Sequence, residues 1–238
     1  MTTKKKLFVA LAAIAASVII AVVSVVATVA YLTSSAAVSN VFTIGNVSMT
    51  MDESKVDING VAVENGGRVD TNTYKLVPDK KYTKDPIIHV ATGSEDCYLF
   101  VLVRNDIEAI EVKHETPVDG ELTIAQQLAK NGWVEYADAH ASTGKVYVYY
   151  GVDASGNLNA KPTPTEAGKD YKLFDYFMID KSADVSLYGA AKVTMTAVAI
   201  QTAGFGETDG SNPIKEAWEA VVATYPYIKT GGTPSQNG

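Results

Sequence analysis

Near the start of the chain, residues 7–32 form a mostly apolar stretch without a charged residue, which follows three consecutive lysines at residues 4–6. A basic start, an apolar run and small residues at its end are typical of a secretory signal peptide, and the lysines favour a cytoplasmic N-terminus. As a helix, the 26 residues of the run would extend roughly 39 Å at about 1.5 Å per residue. This length would cross a hydrocarbon core of roughly 30 Å, so a retained membrane anchor is the alternative. Both interpretations place residues 33–238 outside the cell.

Two positions have the small side chains that a signal peptidase requires at the cut and two residues before it. The first, at residues 28–30, allows cleavage between Ala30 and Tyr31. The second, at residues 35–37, allows cleavage before Val38.

Beyond the apolar run, apolar and polar residues alternate in short stretches, which predicts β-strands separated by turns. Residues 40–52 alternate in two registers that switch at Gly45–Asn46, so we expect one long strand with a β-bulge at the switch. The pair Asn59–Gly60 lies between two short β-rich runs and predicts a hairpin. The run 97–103 is apolar on both faces, as expected for a central strand of a sandwich. Further predicted strands are 87–90, 146–150, 171–179 and 191–201.

Two segments carry helix signals instead. Thr123 can cap a helix whose capping box is completed by Gln126, and the helix is expected to end at residue 131. A second helix is predicted to begin with Asn212 as its cap and Pro213 in its first turn. Its apolar residues form one stripe at helical spacing that should dock on the domain, with Trp218 stabilising the fold without belonging to any site. The stripe comprises Ile214, Trp218, Val221 and Tyr225.

About eight strand-like segments and two short helices predict an all-β protein, an antiparallel β-sandwich of the jelly-roll kind, preceded by the N-terminal signal or transmembrane helix. We divide the chain into a signal peptide or anchor at residues 1–30, a sandwich domain at residues 31–228 and a disordered tail at residues 229–238. The tail is predicted from its Gly, Pro, Ser and Asn content.

The formal net charge of the whole chain is −7. Without the three N-terminal lysines, the 20 basic residues become 17 against 27 acidic ones, and 17 − 27 gives −10. Such an acidic surface argues against nucleic acid or anionic lipid as a partner. We therefore expect membrane contact only through residues 7–32, before cleavage.

No motif for catalysis, cofactor binding or metal binding is found, so we expect no enzyme and no cofactor. Cys97, the single cysteine, lies in an apolar run and is expected to be a buried, inert thiol. The three histidines are far apart, without zinc-ligand spacing. The segment 153–157 lacks the distal Glu of a calcium loop and predicts a plain turn. Tyrosines 147, 149 and 150 are expected to be core residues rather than a ligand platform.

The export segment and four later stretches, taken together in their order along the chain, resemble a known family. The export segment is followed by AYLT at residues 30–33 and NVFTIGNV at residues 40–47, then by LVPDKKYTKDP at residues 76–86 and VTMTAVAIQTAGF at residues 193–205. This arrangement resembles the TasA and camelysin family of Gram-positive exported proteins, whose precursors are processed by the signal peptidase SipW. Camelysin-like members have been called metallopeptidases, but this sequence has no metal motif to carry that role.

The resemblance implies a jelly-roll sandwich, secretion and, as in the best-known members, assembly into biofilm matrix fibres in which an N-terminal strand completes the neighbour's sheet. The partners expected are therefore other copies of the chain, in a head-to-tail homopolymer, and the signal peptidase during export. The expected assembly strand contains Val41, Phe42 and Ile44. The alternatives are that residues 40–52 pair within their own domain behind a frayed segment 31–39, and that the protein is a monomeric adhesin, a ligand-binding module or a secreted hydrolase.

The first prediction concerns processing. We expect the secreted chain to begin at Tyr31, because residues 28 and 30 are small and the family pattern places the cut before an aromatic residue. Intact-mass spectrometry of the protein recovered from the culture medium measures this directly. A mass that still includes residues 1–30 would favour the membrane-anchored alternative.

Overall fold

The computed structural model describes residues 33–206 and 212–229, with side chains for all of these except residues 33–40, 42 and 227. The export segment, the expected cleavage residues Ala30 and Tyr31 and the tail beyond residue 229 lie outside the described residues. Within them, no helix has the length and apolarity needed to cross a membrane.

The described chain is mostly β-structure with two α-helices. The helices are α1 (Ile124–Lys130) and α2 (Pro213–Thr224), and short 3₁₀ turns occur at residues 108–110, 137–139, 185–188 and 226–229. The strands are β1 (Thr33–Ile44), β2 (Met49–Ser54), β3 (Arg68–Val69), β4 (Thr71–Lys75), β5 (Lys80–Thr83), β6 (Ile87–Val90), β7 (Cys97–Asn105), β8 (Trp133–Glu135), β9 (Lys145–Tyr149), β10 (Asp170–Lys172), β11 (Tyr176–Ile179) and β12 (Val193–Gln201).

These strands form three sheets. The largest has six strands in the order β4-β1-β12-β7-β9-β8, the second has four in the order β10-β6-β2-β3, and the third pairs β11 with β5. All pairings between named strands are antiparallel except one, because β1 runs parallel to β12. The expectation of a purely antiparallel sandwich is therefore wrong at this pair, where the N-terminal strand lies beside the last strand of the described chain.

The centre of the six-stranded sheet, at β7 and the second half of β12, is buried on both faces. On one face Leu99 and Val101 join a core cluster shared with both smaller sheets and α1, through residues such as Ile88 and Phe177. On the other face Phe100 and its neighbours join a second cluster formed with α2. The sequence prediction that residues 97–103 form a central strand is confirmed, since every residue of that run is buried.

The second helix closes the outer face as its apolar stripe predicted. Asn212 caps α2 by accepting hydrogen bonds from the backbone N–H groups of Ile214 and Lys215. Trp218 lies 5.3 Å from Phe100 between ring centroids and is only 3% exposed. The α1 prediction is confirmed as well, with both hydrogen bonds of the Thr123 and Gln126 capping box present.

Two predicted long strands are each divided between two sheets. Residues 40–52 do not form one bulged strand: β1 ends at Ile44, and β2 begins at Met49 in the four-stranded sheet. Gly45 permits this change because its φ of +87° is strained for other residues. Residues 171–179 are likewise divided into β10 and β11.

The Asn59–Gly60 turn is present, with the Gly60 N–H donating to the carbonyl of Asp57. The segments that flank the turn do not form a full hairpin, because they are joined by a single β-bridge, Val56–Ala62. Gly60 has a φ of +74°, which is the conformation of a type I turn closed by a glycine bulge.

A second prediction follows from the packing of α2. Replacing Trp218→Ala should lower the free energy of unfolding by about 3 kcal/mol, because the buried ring leaves a cavity against Phe100. Leu187, 74% exposed, is the control, and Leu187→Ala should change stability by less than about 0.5 kcal/mol. Chemical denaturation of both variants measures the difference, and an unchanged Trp218→Ala midpoint would show that the helix contributes little.

Candidate functional site

The expected assembly strand, β1, joins two separate strands of the six-stranded sheet. Its first half, Thr33–Ala37, pairs antiparallel with β4, in register Thr33 with Lys75. Its second half pairs parallel with β12, in register Phe42 with Val198. Within the pairing with β12, the register shifts between Val38 and Val41. Among the described strands, β1 alone connects β4 to the rest of this sheet.

The three residues named for the expected assembly strand, of which Phe42 and Ile44 are expected to fix its register, all belong to β1, but they do not share a face. Val41 is half-buried against the core between the sheets. Ile44 is half-buried on the opposite side, against the cluster beneath α2. Phe42 is paired through its backbone, and its side chain lies outside the description. The strand therefore contacts both cores, which binds it more specifically than a single apolar face would.

Two contacts from later parts of the chain hold the C-terminal end of β1. The Tyr225 hydroxyl donates a hydrogen bond of 3.0 Å to the carbonyl oxygen of Thr43. The Gln201 side-chain oxygen accepts a hydrogen bond of 3.2 Å from the backbone N–H of Asn46. A Cβ on Gly45 would overlap the Gln201 side chain, so this position needs glycine for space as well as for its φ.

The described part of β1 pairs entirely within its own chain. This arrangement corresponds to the alternative in which residues 40–52 pair inside their domain, with the difference that residues 33–37 are also paired. No frayed segment is therefore found over the described residues 33–39. The geometry is that of a chain whose own N-terminal strand completes its own sheet.

A fully buried ion pair, which sequence reasoning missed, lies beneath the four-stranded sheet. The Lys84 ammonium donates to the Glu53 carboxylate at 2.6 Å, and both side chains are 0% exposed. Asn72 donates to the other Glu53 oxygen at 3.0 Å. Burial raises the pKa of Glu53 and lowers that of Lys84, because desolvation penalises both charges. Together with Asn72, the pair connects β2, β4 and the segment after β5. Because both charged side chains are sealed from solvent, they cannot contact a soluble substrate.

Above that pair, a row of charged side chains crosses the outer face of the four-stranded sheet. His89 contacts Asp170 at 2.6 Å and Asp52 at 3.1 Å. Arg68 in turn bonds to Asp52 and Asp85. Desolvation opposes protonation of His89, but its hydrogen bonds to the two aspartates outweigh it and raise the pKa.

Glu111 is a second buried acid, next to the start of α1. Its two oxygens accept hydrogen bonds of 2.9 Å from the Ile124 N–H and from the Asn105 side chain. Burial raises the pKa of Glu111 to about 7, because these bonds only partly offset the lost hydration. A carboxylic acid that titrates near neutrality is thus built into the fold.

The other residues singled out in the sequence occupy ordinary positions. Cys97 is buried, its sulfur 2.7 Å from the Thr165 hydroxyl, and burial raises the pKa of the thiol. The Asp153 carboxylate accepts backbone hydrogen bonds within its own turn. Tyr147 is buried in the core and Tyr149 packs edge-on against Tyr171. Among the described residues, no group of three or more acidic, His or Cys side chains could hold a metal ion.

Comparison with protein-family models, curated proteins and solved structures finds no match for this chain.

A third prediction follows from the raised pKa values of Glu111 and His89. A group whose pKa is raised by folding stabilises the fold fully at pH values below its unfolded-state pKa, which is about 4.5 for Glu111 and about 6.5 for His89. This stabilisation is lost as the pH rises through the folded-state pKa. Stability should therefore fall as pH rises from about 4.5 to about 7, with Glu111 contributing on the order of 3 kcal/mol, and the raised pKa of His89 extends the decline above its ordinary value of 6.5.

Replacing Glu111→Gln should flatten most of this decline, because the amide stays neutral at every pH. The exposed Glu95→Gln variant is the control and should keep the wild-type slope. Urea unfolding across the pH range measures both. A Glu111→Gln protein with the same pH dependence as wild type would rule out burial of this acid as the cause.

Proposed function

We propose that the protein is a secreted, extracellular structural subunit of a biofilm matrix, and that it forms fibres by donating β1 to a neighbouring copy. The observation that carries the proposal is the position of β1, an N-terminal strand that completes a sheet built otherwise from later segments. The proposed form of the domain is a jelly roll, preceded by an N-terminal export helix.

Removing β1 from its own chain would leave two unsatisfied edges. The backbone groups of β12 from Met195 to Ile200 would lose their parallel partner, and those of β4 would lose their antiparallel one. Unpaired edges of this kind recruit extended segments, and β1 of a second copy has the matching sequence. The exchanged strand would recover the same backbone pairings. Exchange therefore requires only that the segment at residues 45–48, which connects β1 to β2, change its conformation.

Exchange of this kind is directional. Each subunit donates one N-terminal strand and accepts one at a different surface, beside β12, so the contact is heterologous. A heterologous contact that does not close into a ring continues as a filament.

In this proposal, cleavage of the export segment determines when β1 becomes available for assembly. β1 begins at Thr33, two residues after the proposed cut before Tyr31 and directly after the apolar run that ends at Leu32. An uncleaved precursor would hold the start of β1 at the membrane, where it could not reach a neighbour's sheet. Cleavage by the signal peptidase would release the strand and leave the mature protein without membrane contact.

The alternative function is a monomeric cell-surface adhesin or ligand-binding module, in which β1 stays in its own sheet. A surface pocket between α2 and the turn at residues 137–139 favours this class. Sizing chromatography and electron microscopy of the secreted protein over time distinguish the two, since only a fibre subunit forms polymers.

A fourth prediction uses a disulfide to report which chain β1 pairs with. Val41 and Ala197 are direct partners on β1 and β12, so cysteines at both positions, with Cys97→Ser to remove the native thiol, are placed to crosslink. Oxidation before assembly should trap monomers that form no fibres. Oxidation after assembly should link neighbouring chains into a ladder on a non-reducing gel.

The matched control places the cysteine pair at Arg104 and Thr194, which are partners on β7 and β12. These two strands stay in one subunit, so this crosslink should remain within a chain and leave assembly intact. Fibres that form normally from the oxidised Val41 and Ala197 variant, or that give only intrachain links after assembly, would contradict strand donation by β1.

A further inference from the structure

Among the described residues, two buried polar side-chain atoms have no hydrogen-bond partner, and each belongs to a residue that lines a surface pocket. They are the Thr143 hydroxyl oxygen and the Trp218 Nε1. The second is the more informative, because Trp218 is almost wholly buried. Trp133, the other tryptophan, shows the usual arrangement, since its Nε1 donates to the carbonyl of Lys172 at 2.9 Å.

The pocket at Trp218 lies between α2, the turn at residues 137–139 and the end of the described chain. Its volume is about 330 Å³, near the lower end of the roughly 300–1,000 Å³ range of small-ligand sites. Its floor combines Trp218 with Tyr136, whose rings meet edge to face at 6.2 Å. Its polar lining consists of two carboxylates, two ammonium groups and one imidazole, those of Asp138, Glu219, Lys215, Lys229 and His140.

We propose that this pocket binds a neutral saccharide. Lysine ammonium groups and the indole N–H are donors only, whereas carboxylates are acceptors only. A sugar hydroxyl both donates and accepts, so a polyhydroxyl ligand can satisfy the two kinds of group together. The apolar face of a sugar ring can also pack on Tyr136, whose ring lines the pocket and is partly exposed.

The charge balance of the pocket argues against a free anion as its ligand. Two carboxylates oppose two ammonium groups, so a free anion would meet repulsion from Asp138 and Glu219. On α2, Lys215 and Glu219 form an exposed i,i+4 ion pair with 4.0 Å between the nitrogen and the oxygen. Such an exposed pair is weak, so a ligand hydroxyl can compete for either partner.

The unpaired indole N–H supplies the specific contact. A buried donor without a partner carries a desolvation penalty that an oxygen acceptor removes. Trp218 Nε1 is itself covered in the structure, so a ligand hydroxyl reaches it only after a side chain of the pocket rotates. Lysine side chains such as Lys215 rotate readily because they are long and unbranched. This use of Trp218 departs from the sequence-based expectation that the residue serves the fold alone.

The test is nuclear magnetic resonance of the purified, ¹⁵N-labelled secreted protein, because two tryptophans give two indole N–H signals. Titration with N-acetylglucosamine, its β-1,4-linked dimer and glucose should shift the Trp218 signal downfield as it gains an acceptor. The Trp133 signal should stay in place because its hydrogen bond is already made. Glucuronate and inorganic phosphate serve as the anionic probes.

Asp138→Asn and Glu219→Gln should each weaken saccharide binding at least tenfold, since both change an exposed acceptor of the pocket without touching the core. Lys229→Ala gives a third variant from another element, and Glu95→Gln, away from the pocket, is the control. The amide spectrum reports that each variant is folded. A Trp218 signal that no sugar moves, a shift produced only by the anions, or an affinity unchanged in the pocket variants would overturn the proposal.

Discussion

The six-stranded sheet must be covered on both faces, and the rest of the structure follows from that requirement. Each residue from Cys97 to Val103 on β7 is buried, so neither face of the central strand can meet water. Burial of this kind stabilises the fold by roughly 25 cal/mol per Å² of apolar area. The smaller sheets cover one face and α2 covers the other. The molecule is therefore layered, with two separate apolar clusters rather than one.

The same requirement gives β1 its importance. β12 is buried on both faces over its second half, so an open edge beside it would expose backbone groups next to apolar surface. β1 closes that edge, with Val41 against one cluster and Ile44 against the other. A strand that fits between two cores is held by its own side chains as well as by its pairing. Any exchange between copies must reproduce both sets of contacts, which makes the acceptor selective for this sequence.

Sequence signals predicted local structure such as helix ends, but they did not predict which distant segments pair with each other. The caps at Thr123 and Asn212 marked both helices, because capping depends on residues within one turn. The parallel partner of β1 lies more than 150 residues away, and nothing in its own alternation selects it. The Glu53–Lys84 pair was missed for the same reason, although alternation places Glu53 on the inward face shared with Met49 and Met51. The orphaned indole of Trp218 has no sequence signal, since the stripe predicts burial but not hydrogen bonding.

The helix α2 and its flanking residues connect the two proposed activities without making one depend on the other. Tyr225, just beyond α2, bonds to the carbonyl of Thr43 on β1, whereas Trp218 packs on Phe100 of β7. If β1 comes from a neighbouring copy, the Tyr225 contact becomes a contact between subunits. The Trp218 packing and the pocket beside it stay within one subunit, because β7, α2 and the turn at residues 137–139 do not exchange. A saccharide site of this kind would therefore exist in monomer and fibre alike, and a fibre would repeat it along its length, where avidity strengthens weak single sites.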